Sequence, residues 1–150
     1  MSNSRIPESR CRFAHREPIQ LRFNDADMFG HVNNAVYFQY FDLAKFEFFR
    51  QLMGPDFDPH GIALVVVNVN TDFYAPVLLT ETVSVLTGVV RIGERSLTLE
   101  QRLVSEEDGA IKCVCTTVMA GFDPRTMTSA PIADIWRERL ESAMNHSGRP

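Results

Sequence analysis

The chain has 150 residues, of which 45% are hydrophobic and 11 are Phe, and its formal net charge at pH 7 is −4. This length and composition fit one domain with a sizeable core and argue against two domains. The negative net charge and the lack of a Lys/Arg cluster argue against a nucleic-acid-binding protein, which needs concentrated positive charge.

Residues 1–17 are polar and charged, without an apolar run or a periodicity. They resemble neither a secretory signal peptide nor a transmembrane span, so we expect a flexible leader, no membrane span and a cytoplasmic location. Pro18 then precedes Ile19 to Phe23, where apolar and polar residues alternate. This alternation predicts a half-buried strand, the first of the domain that we place at residues 18–125.

The next segment predicts a loop that leads into a long helix. Residues 24–33 are rich in Asp, Asn and Gly, which favour turns, whereas no Gly or Pro occurs from Ala35 to Met53. Either Asn33 or Asn34 could cap the helix with its side chain. Apolar residues follow in two rows at helical spacing, so we expect a central helix wrapped by the rest of the domain. The two rows comprise Tyr37, Phe41, Ala44, Phe48 and Leu52, and Phe38, Phe46, Phe49 and Met53.

The remainder of the domain is predicted to consist of strands. After breakers at residues 54–61, four strands are expected, from about Ile62 to Tyr74, Thr82 to Ile92, Ser96 to Leu103 and Ile111 to Phe122. In the first of these, Val65 and Phe73 should share one face. The short Ile92-Gly93-Glu94 turn predicts a hairpin between the second and third. One helix followed by antiparallel strands indicates an α+β fold in which one sheet curls around one helix.

Residues 126–145 are predicted to contain a second helix that packs on the domain or on a neighbouring subunit. Ile132 to Met144 has one apolar stripe, and Pro131 would occupy the first helical turn. Residues 146–150 should form a frayed tail. Three cysteines, Cys11, Cys113 and Cys115, argue against a disulfide framework in a chain without a secretion signal. No His or acidic residue stands at ligand spacing beside the last two, so we expect buried thiols and no metal site.

The segment Asp25 to Phe38, DADMFGHVNNAVYF, resembles the signature of the 4-hydroxybenzoyl-CoA thioesterase-like hotdog family. The pattern is an Asp-x-Asp, a Gly-His-x-Asn-Asn and a Tyr, and with the strands the resemblance covers about His15 to Pro124. It implies a long central helix wrapped by a curved antiparallel sheet. It also implies paired subunits, as a homodimer or a dimer of dimers, that hydrolyse acyl-CoA thioesters at the subunit interface.

The resemblance implies catalytic roles for residues at the start of the helix. Asp27 matches the catalytic Asp, a nucleophile or a general base, and Asn34 matches the residue whose backbone N–H polarises the carbonyl. An unpaired first-turn amide and a nearby carboxylate suit that chemistry, although an Asp before a helix is commonly only a cap. His31 could orient a carboxylate or bind the thioester, or be held only by hydrogen bonds. Asp25 is interpreted as structural.

Further residues are candidates for substrate binding. Tyr37 is a core position whose hydroxyl could reach the site. Phe73 and Tyr74 lie in a segment that resembles the one which, in the partner subunit, closes over the acyl group, or they form an aromatic strand end. Arg91 and Arg95 flank a turn and could contact CoA phosphates, or be solvated hairpin charge.

The sequence thus predicts an acyl-CoA thioesterase that needs no metal or bound cofactor, coenzyme A being part of the substrate. Hydrolysis of an acyl-carrier-protein thioester is the first alternative. A non-catalytic acyl-CoA binding protein is the second, and the presence of Asp27 argues against it. A hydratase would require a different pairing of Asp and His from Asp27 and His31.

Overall fold

The computed structural model describes residues 5–60 and 63–145, in which one antiparallel sheet curls around a long helix. This is the expected α+β hotdog layout, which is therefore confirmed. The expected tail at 146–150 and the strand start near Ile62 lie outside the described residues. The helices are α1 (Asn34–Met53) and α2 (Asp134–Asn145), with short 3₁₀ turns at Phe23–Asp25 and Gly54–Asp56. The strands are β1 (Phe13–Ile19), β2 (Leu64–Phe73), β3 (Val83–Ile92), β4 (Ser96–Ser105), β5 (Ile111–Asp123) and β6 (Thr128–Ser129).

The strand order is β1-β3-β4-β5-β2, with β6 beside β5. All pairs are antiparallel, and the predicted hairpin, β3 with β4, is confirmed by a register that runs from Val83 opposite Ser105 to Ile92 opposite Leu97. Strand β2 pairs with β5 and not with β3, its neighbour in sequence. Strands β1 and β2 are therefore the two edges of the sheet.

The predicted first strand, Ile19 to Phe23, is wrong, because β1 spans Phe13–Ile19. The reason is the residue that β1 turns inward. His15 is 6% exposed, and its ring nitrogens lie 3.1 Å from Gln51 Oε1 and 2.9 Å from Glu17 Oε2. A strand whose inward-facing residue is a hydrogen-bonded His does not show the apolar alternation by which strands are predicted. Pro18 is tolerated in this strand because β1 is an edge.

The described part of the leader before β1 is also ordered, contrary to the prediction of a flexible leader. It packs on the outer face of the sheet, where Arg102 Nη2 donates to the carbonyl of Pro7 at 2.7 Å and Arg10 Nη2 donates to Thr116 Oγ1 at 3.1 Å. Beneath it, Arg102 Nε donates to Glu100 Oε2 at 3.0 Å, and both side chains are almost fully buried. Hydrogen bonds from charged side chains hold this segment in place of apolar packing. Its sequence therefore has no apolar pattern from which packing could be predicted.

Helix α1 divides the core into two clusters. The N-terminal cluster contains Ile19, Val32, Tyr37, Tyr40, Phe41, Ala44, Val77, Val83, Val85, Leu103, Cys113 and Cys115. The C-terminal cluster contains Phe48, Phe49, Met53, Leu64, Val89, Leu97, Leu99, Met119, Ile132, Trp136 and Leu140. Phe38 and Phe46, which we expected to be wrapped, are each 42% exposed, so one chain covers only part of the helix.

A bulge in β2 changes which residues face the helix. The register with β5 shifts between Val66 and Asn68. Leu64 is buried in the C-terminal cluster, and the ring of Phe73 lies 5.1 Å from that of Tyr37, although strict alternation would place Leu64 and Phe73 on opposite faces. The extra residue reverses the alternation. The prediction that Val65 shares a face with Phe73 is therefore wrong.

Helix α2 packs against β3 and α1, as predicted for packing on the domain. It begins at Asp134, so Pro131 precedes the helix and does not occupy its first turn. Trp136 meets Phe49 edge-on, with ring centroids 5.3 Å apart. No helix within residues 5–60 and 63–145 has the length and apolarity to cross a membrane.

The strand cysteines are buried, as expected, with Cys113 fully inaccessible and Cys115 1% exposed. Burial raises the pKa of the Cys113 thiol to about 12, so it stays protonated and unreactive near neutral pH. Cys11, on the outer face of the sheet, is half-buried, and burial raises its pKa as well. Across the described ranges, no three His, Cys, Asp or Glu side chains converge as a metal site would require.

Candidate active site

A cleft of about 390 Å³ opens beside the N-terminal end of α1. It brings together all of the predicted site residues except Arg91 and Arg95. The lining residues are Asp27, His31, Val32, Asn33, Asn34, Tyr37, Phe73, Tyr74, Ala75 and Pro76.

Backbone hydrogen bonds close residues 26–32 into a narrow loop. Ala26 pairs with Val32, the Asp27 N–H donates to the His31 carbonyl at 2.8 Å, and the Gly30 N–H donates to the Asp27 carbonyl at 3.1 Å. Gly30 has a φ of 77°, a left-handed conformation that costs glycine little. The Asp-x-Asp and Gly-His elements of the sequence pattern thus fold one turn that presents Asp27.

The two carboxylate oxygens of Asp27 are in different environments. Oδ1 accepts the Phe29 N–H at 2.8 Å and the His31 N–H at 3.2 Å. Among the residues that the structure describes, none bonds to Oδ2. One oxygen therefore fixes the side chain within the loop, and the other is available for a ligand or for chemistry.

Helix α1 begins without the predicted side-chain cap. Asn33 is the N-cap residue, but neither its side chain nor that of Asn34 makes a capping hydrogen bond. The Asn33 backbone N–H donates to the Asp25 carbonyl at 2.8 Å. The Asn34 N–H has no acceptor in the part of the chain that is described. Asn34 lines the cleft, so an unpaired amide at the positive end of the helix dipole borders the same space as Asp27.

His31 contributes to the site mainly through its backbone. Its main chain pairs with Asp27 and with Leu78, and its imidazole makes no hydrogen bond to any described residue. The imidazole therefore does not orient the Asp27 carboxylate in this structure, and the His31 N–H performs that task. His31 is also one of the residues that line the cleft.

Tyr37 forms the inner wall of the cleft. It is 2% exposed, its ring meets Phe73 edge-on, and its hydroxyl accepts the Val77 N–H at 3.2 Å. Burial raises the pKa of this hydroxyl, so it remains neutral near pH 7. The hydroxyl is engaged in holding the opposite wall, which fits a structural contact at the edge of a binding site.

That opposite wall, residues 73–76, belongs to the same chain as Asp27. The resemblance places this segment over the site of a partner subunit, which stays a prediction, and within one chain the segment lines the cleft that contains Asp27. The Val32 N–H donates to the Val77 carbonyl at 2.8 Å, which joins the Asp27 loop directly to the wall. Lys112 secures the wall, since its carbonyl accepts the Tyr74 N–H at 2.8 Å and its Nζ lies 3.3 Å from the Pro76 carbonyl.

Arg91 and Arg95 lie at the other end of the molecule. Their turn packs beside the C-terminal cluster, with Ile92 against that cluster and Arg137 Nη2 donating to the Gly93 carbonyl at 2.7 Å. Arg95 Nη1 donates to Ser129 Oγ at 3.0 Å. A helix of 20 residues spans roughly 30 Å, so neither Arg reaches the cleft of its own chain.

Sequence reasoning missed the partner of Asp25. Tyr40 donates to Asp25 Oδ2 at 2.6 Å within the protein interior. Burial opposes ionisation of Asp25, but the hydrogen bonds from Tyr40 and from the Arg22 N–H, with the Arg22 charge, lower its pKa overall. In the sequence Tyr40 is one apolar position among many, so nothing local distinguishes it.

Comparisons with known proteins agree on one family. A family model described as the thioesterase-like superfamily matches residues 21–140. A thioesterase from Thermus thermophilus, solved with coenzyme A and Zn, is 32% identical with a TM-score of 0.77, over 92% of this chain and 97% of that one. The long-chain acyl-CoA thioesterase FadM of Escherichia coli K12 is 25% identical over 124 residues, 82% of this chain and 94% of FadM. The acyl-CoA thioester hydrolase YbgC of Escherichia coli O6:H1 is 24% identical over 127 residues, 80% of this chain and 94% of YbgC.

Proposed function

We propose that this chain, which belongs to the thioesterase-like superfamily, hydrolyses an acyl-coenzyme A thioester to the free acid and coenzyme A. One observation carries the proposal: Asp27, with one oxygen fixed and the other unpaired, shares a cleft with the unpaired Asn34 N–H. Attack on a thioester carbonyl needs a nucleophile or base on one side and a donor to the developing oxyanion on the other.

In this mechanism the thioester carbonyl oxygen accepts the Asn34 N–H at the start of α1. Negative charge grows on that oxygen as the tetrahedral intermediate forms, and the fixed amide and the helix dipole stabilise it. Asp27 Oδ2 either attacks the carbonyl carbon, giving an anhydride that water then hydrolyses, or removes a proton from an attacking water. In both routes the C–S bond breaks and coenzyme A leaves as the thiolate.

The remaining lining residues would bind the acyl end. Tyr37, Phe73 and Tyr74 supply aromatic surface, and His31 lines the same cleft as Asp27. Arg91 and Arg95 could contact CoA phosphates at the far end of the pantetheine arm or in the site of another chain. The names of the relatives favour coenzyme A over an acyl carrier protein as the thiol. We place the reaction in the cytoplasm.

We also propose that the working form is a homodimer. Strand β2 is an edge of ten residues with apolar side chains, Val65, Val66, Val67 and Val69 among them, that are 38–59% exposed. Exposed edges and apolar surfaces of this kind are normally covered. Because Asp27 and Tyr74 line one cleft within a chain, verified heterodimers of Asp27→Asn and Tyr74→Ala chains should show no activity above the mean of their parents. Clear restoration would mean that the site is shared between subunits.

The test of the proposed function is a panel of acyl-CoAs, aliphatic and aromatic, assayed for release of free thiol, with acyl-phosphopantetheine carrier protein as the competing substrate. We expect thiol release from at least one acyl-CoA at a rate well above the carrier-protein substrate. Failure with every acyl-CoA by folded protein would overturn the proposal. A single turnover in ¹⁸O water can identify the anhydride route, because label enters Asp27 only when water attacks the Asp27 carbonyl carbon of the anhydride.

A further inference from the structure

Asp25 is a buried carboxylate, 2% exposed, that is bonded to three parts of the chain. Its Oδ2 accepts the Tyr40 hydroxyl at 2.6 Å and the Arg22 N–H at 3.0 Å, and its Oδ1 lies 3.3 Å from Arg22 Nη2. Its own carbonyl accepts the Asn33 N–H at 2.8 Å. Fixed hydrogen bonds from charged and neutral donors compensate the cost of burying such a charge.

These contacts span the two groups on which the proposed reaction depends. Asp27 follows Asp25 by two residues, and the Asn34 amide follows the Asn33 N–H that Asp25 holds. Tyr40 stands on α1 itself, so its bond to Asp25 ties the loop to the body of the helix. Asp25 therefore sets where the loop with Asp27 lies relative to the N-terminus of α1.

We propose that Asp25 and Tyr40 form a positioning pair that holds Asp27 in register with the Asn34 N–H. This inference rests on the proposed thioester hydrolysis. The pair does not touch the cleft, because neither residue lines it, and acts only through the backbone of the loop and the start of the helix.

The charge states of the pair suit this task. The pKa of Asp25 is lowered overall, as described above, so the carboxylate remains ionised and accepts. Burial, and then the hydrogen bond to Asp25, raises the pKa of Tyr40, so the hydroxyl remains a donor. The pair thus keeps one donor and acceptor arrangement across the neutral pH range.

The test is Tyr40→Phe, which removes one hydroxyl and keeps the ring in the core. Small displacements of reacting groups can cost up to about 10²-fold in rate, so we expect kcat to fall by about 10- to 100-fold with KM within about twofold. Leu140→Val, in the C-terminal cluster, is the control for a general loss of stability. It should lower the melting temperature with kcat within about twofold of wild type.

Asp25→Asn is the second variant, which keeps the shape and loses the charge, and it should reproduce the fall in kcat at unchanged KM. Hydrogen exchange of the Asn33 amide, which donates to the Asp25 carbonyl, should be faster in both variants than in Leu140→Val. Wild-type kcat in both variants, or a fall matched by Leu140→Val at equal melting temperature, would overturn the pairing. If the wild type hydrolyses no acyl-CoA, the proposed function fails, and the exchange comparison still decides whether the pair holds the loop.

Discussion

The two ends of α1 differ in whether side chains bond to their unpaired backbone groups. Every helix ends with backbone groups that lack intrahelical partners. At the C-terminal end, Arg139 Nη1 donates to the carbonyls of Leu52 at 3.1 Å and Met53 at 3.3 Å, and Trp136 packs over the aromatic core. At the N-terminal end no side chain of the described residues caps the helix, and Asn34 borders an open cleft.

The difference separates stability from chemistry along one helix. The C-terminal end is closed by apolar packing and a neutralising side chain, which stabilise the fold. The N-terminal end keeps a donor and a carboxylate unpaired, and it holds the surrounding loop with buried polar contacts of Asp25, Tyr37 and Tyr40. Substitutions at the two ends should therefore affect different measurements.

Trp136→Ala should give the largest effect on stability. Loss of a buried Trp typically costs about 3–5 kcal/mol, so the free energy of unfolding measured in urea should fall by about that amount. The kcat of the folded fraction should stay within about twofold of wild type, because Trp136 packs in the C-terminal cluster and is not among the residues that line the cleft. The control is Ile135→Ala, on the same helix but 43% exposed, which should change stability by less than about 1 kcal/mol. A large fall of kcat in the folded fraction of Trp136→Ala would contradict the assignment of stability to one end of α1 and chemistry to the other.

Asn34→Pro should have the reverse effect. Proline deletes the N–H but is tolerated in the first helical turn, so the fold should survive. Loss of one oxyanion donor should lower kcat by about 10²–10³-fold, with little change in melting temperature. Asn34→Ala retains the N–H and should remain active, because no side-chain cap is lost. Equal loss in both variants would refute the main-chain role.

Arg139→Met should have a small effect that is confined to stability. It removes the donor to the last carbonyls of α1 and an ion pair with Asp56 at 2.8 Å, which together should cost about 1 kcal/mol. The control is Arg125→Met. The Arg125 side chain is 89% exposed and its ion pair with Asp123 is long, at 3.6 Å, so no loss of stability is expected. A change in kcat for Arg139→Met alone would indicate that the helix ends are coupled.

The site was predictable from sequence where its geometry is local. The Asp27 loop and the start of α1 are encoded within ten residues by turn-forming Asp, Asn and Gly. The wall at residues 73–76 was identified, but its place beside the Asp27 loop depends on tertiary hydrogen bonds such as Val32 to Val77, which have no local signal in the sequence. The position of Arg91 and Arg95 away from the cleft likewise depends on the tertiary fold, and their contact with CoA phosphates stays a prediction.

The fold was predictable where apolar residues alternate and was missed where polar residues are buried. Strands β3 and β4 are rich in Val and Leu, and β5 alternates buried and partly buried positions; all three were located within about two residues. The predicted position of β1 was wrong because His15 occupies an inward position where an apolar residue is expected. The leader was predicted to be flexible because it has no apolar pattern, whereas contacts of Arg10 and Arg102 hold it in place. The bulge in β2 has no marker in a run of Val residues.

The most direct test of the account is the kcat of Asp27→Asn beside that of Asp58→Asn on an accepted acyl-CoA. Asp58 is a matched control, because its Oδ1 accepts the His60 N–H at 2.9 Å, the same two-residue turn that Asp27 makes with Phe29. Asparagine keeps an acceptor for these amides, so both variants should fold and bind a non-hydrolysable analogue like wild type. We predict that Asp27→Asn lowers kcat by at least about a hundredfold while Asp58→Asn stays within about twofold. Retention of more than about half of the wild-type kcat in Asp27→Asn would contradict the account.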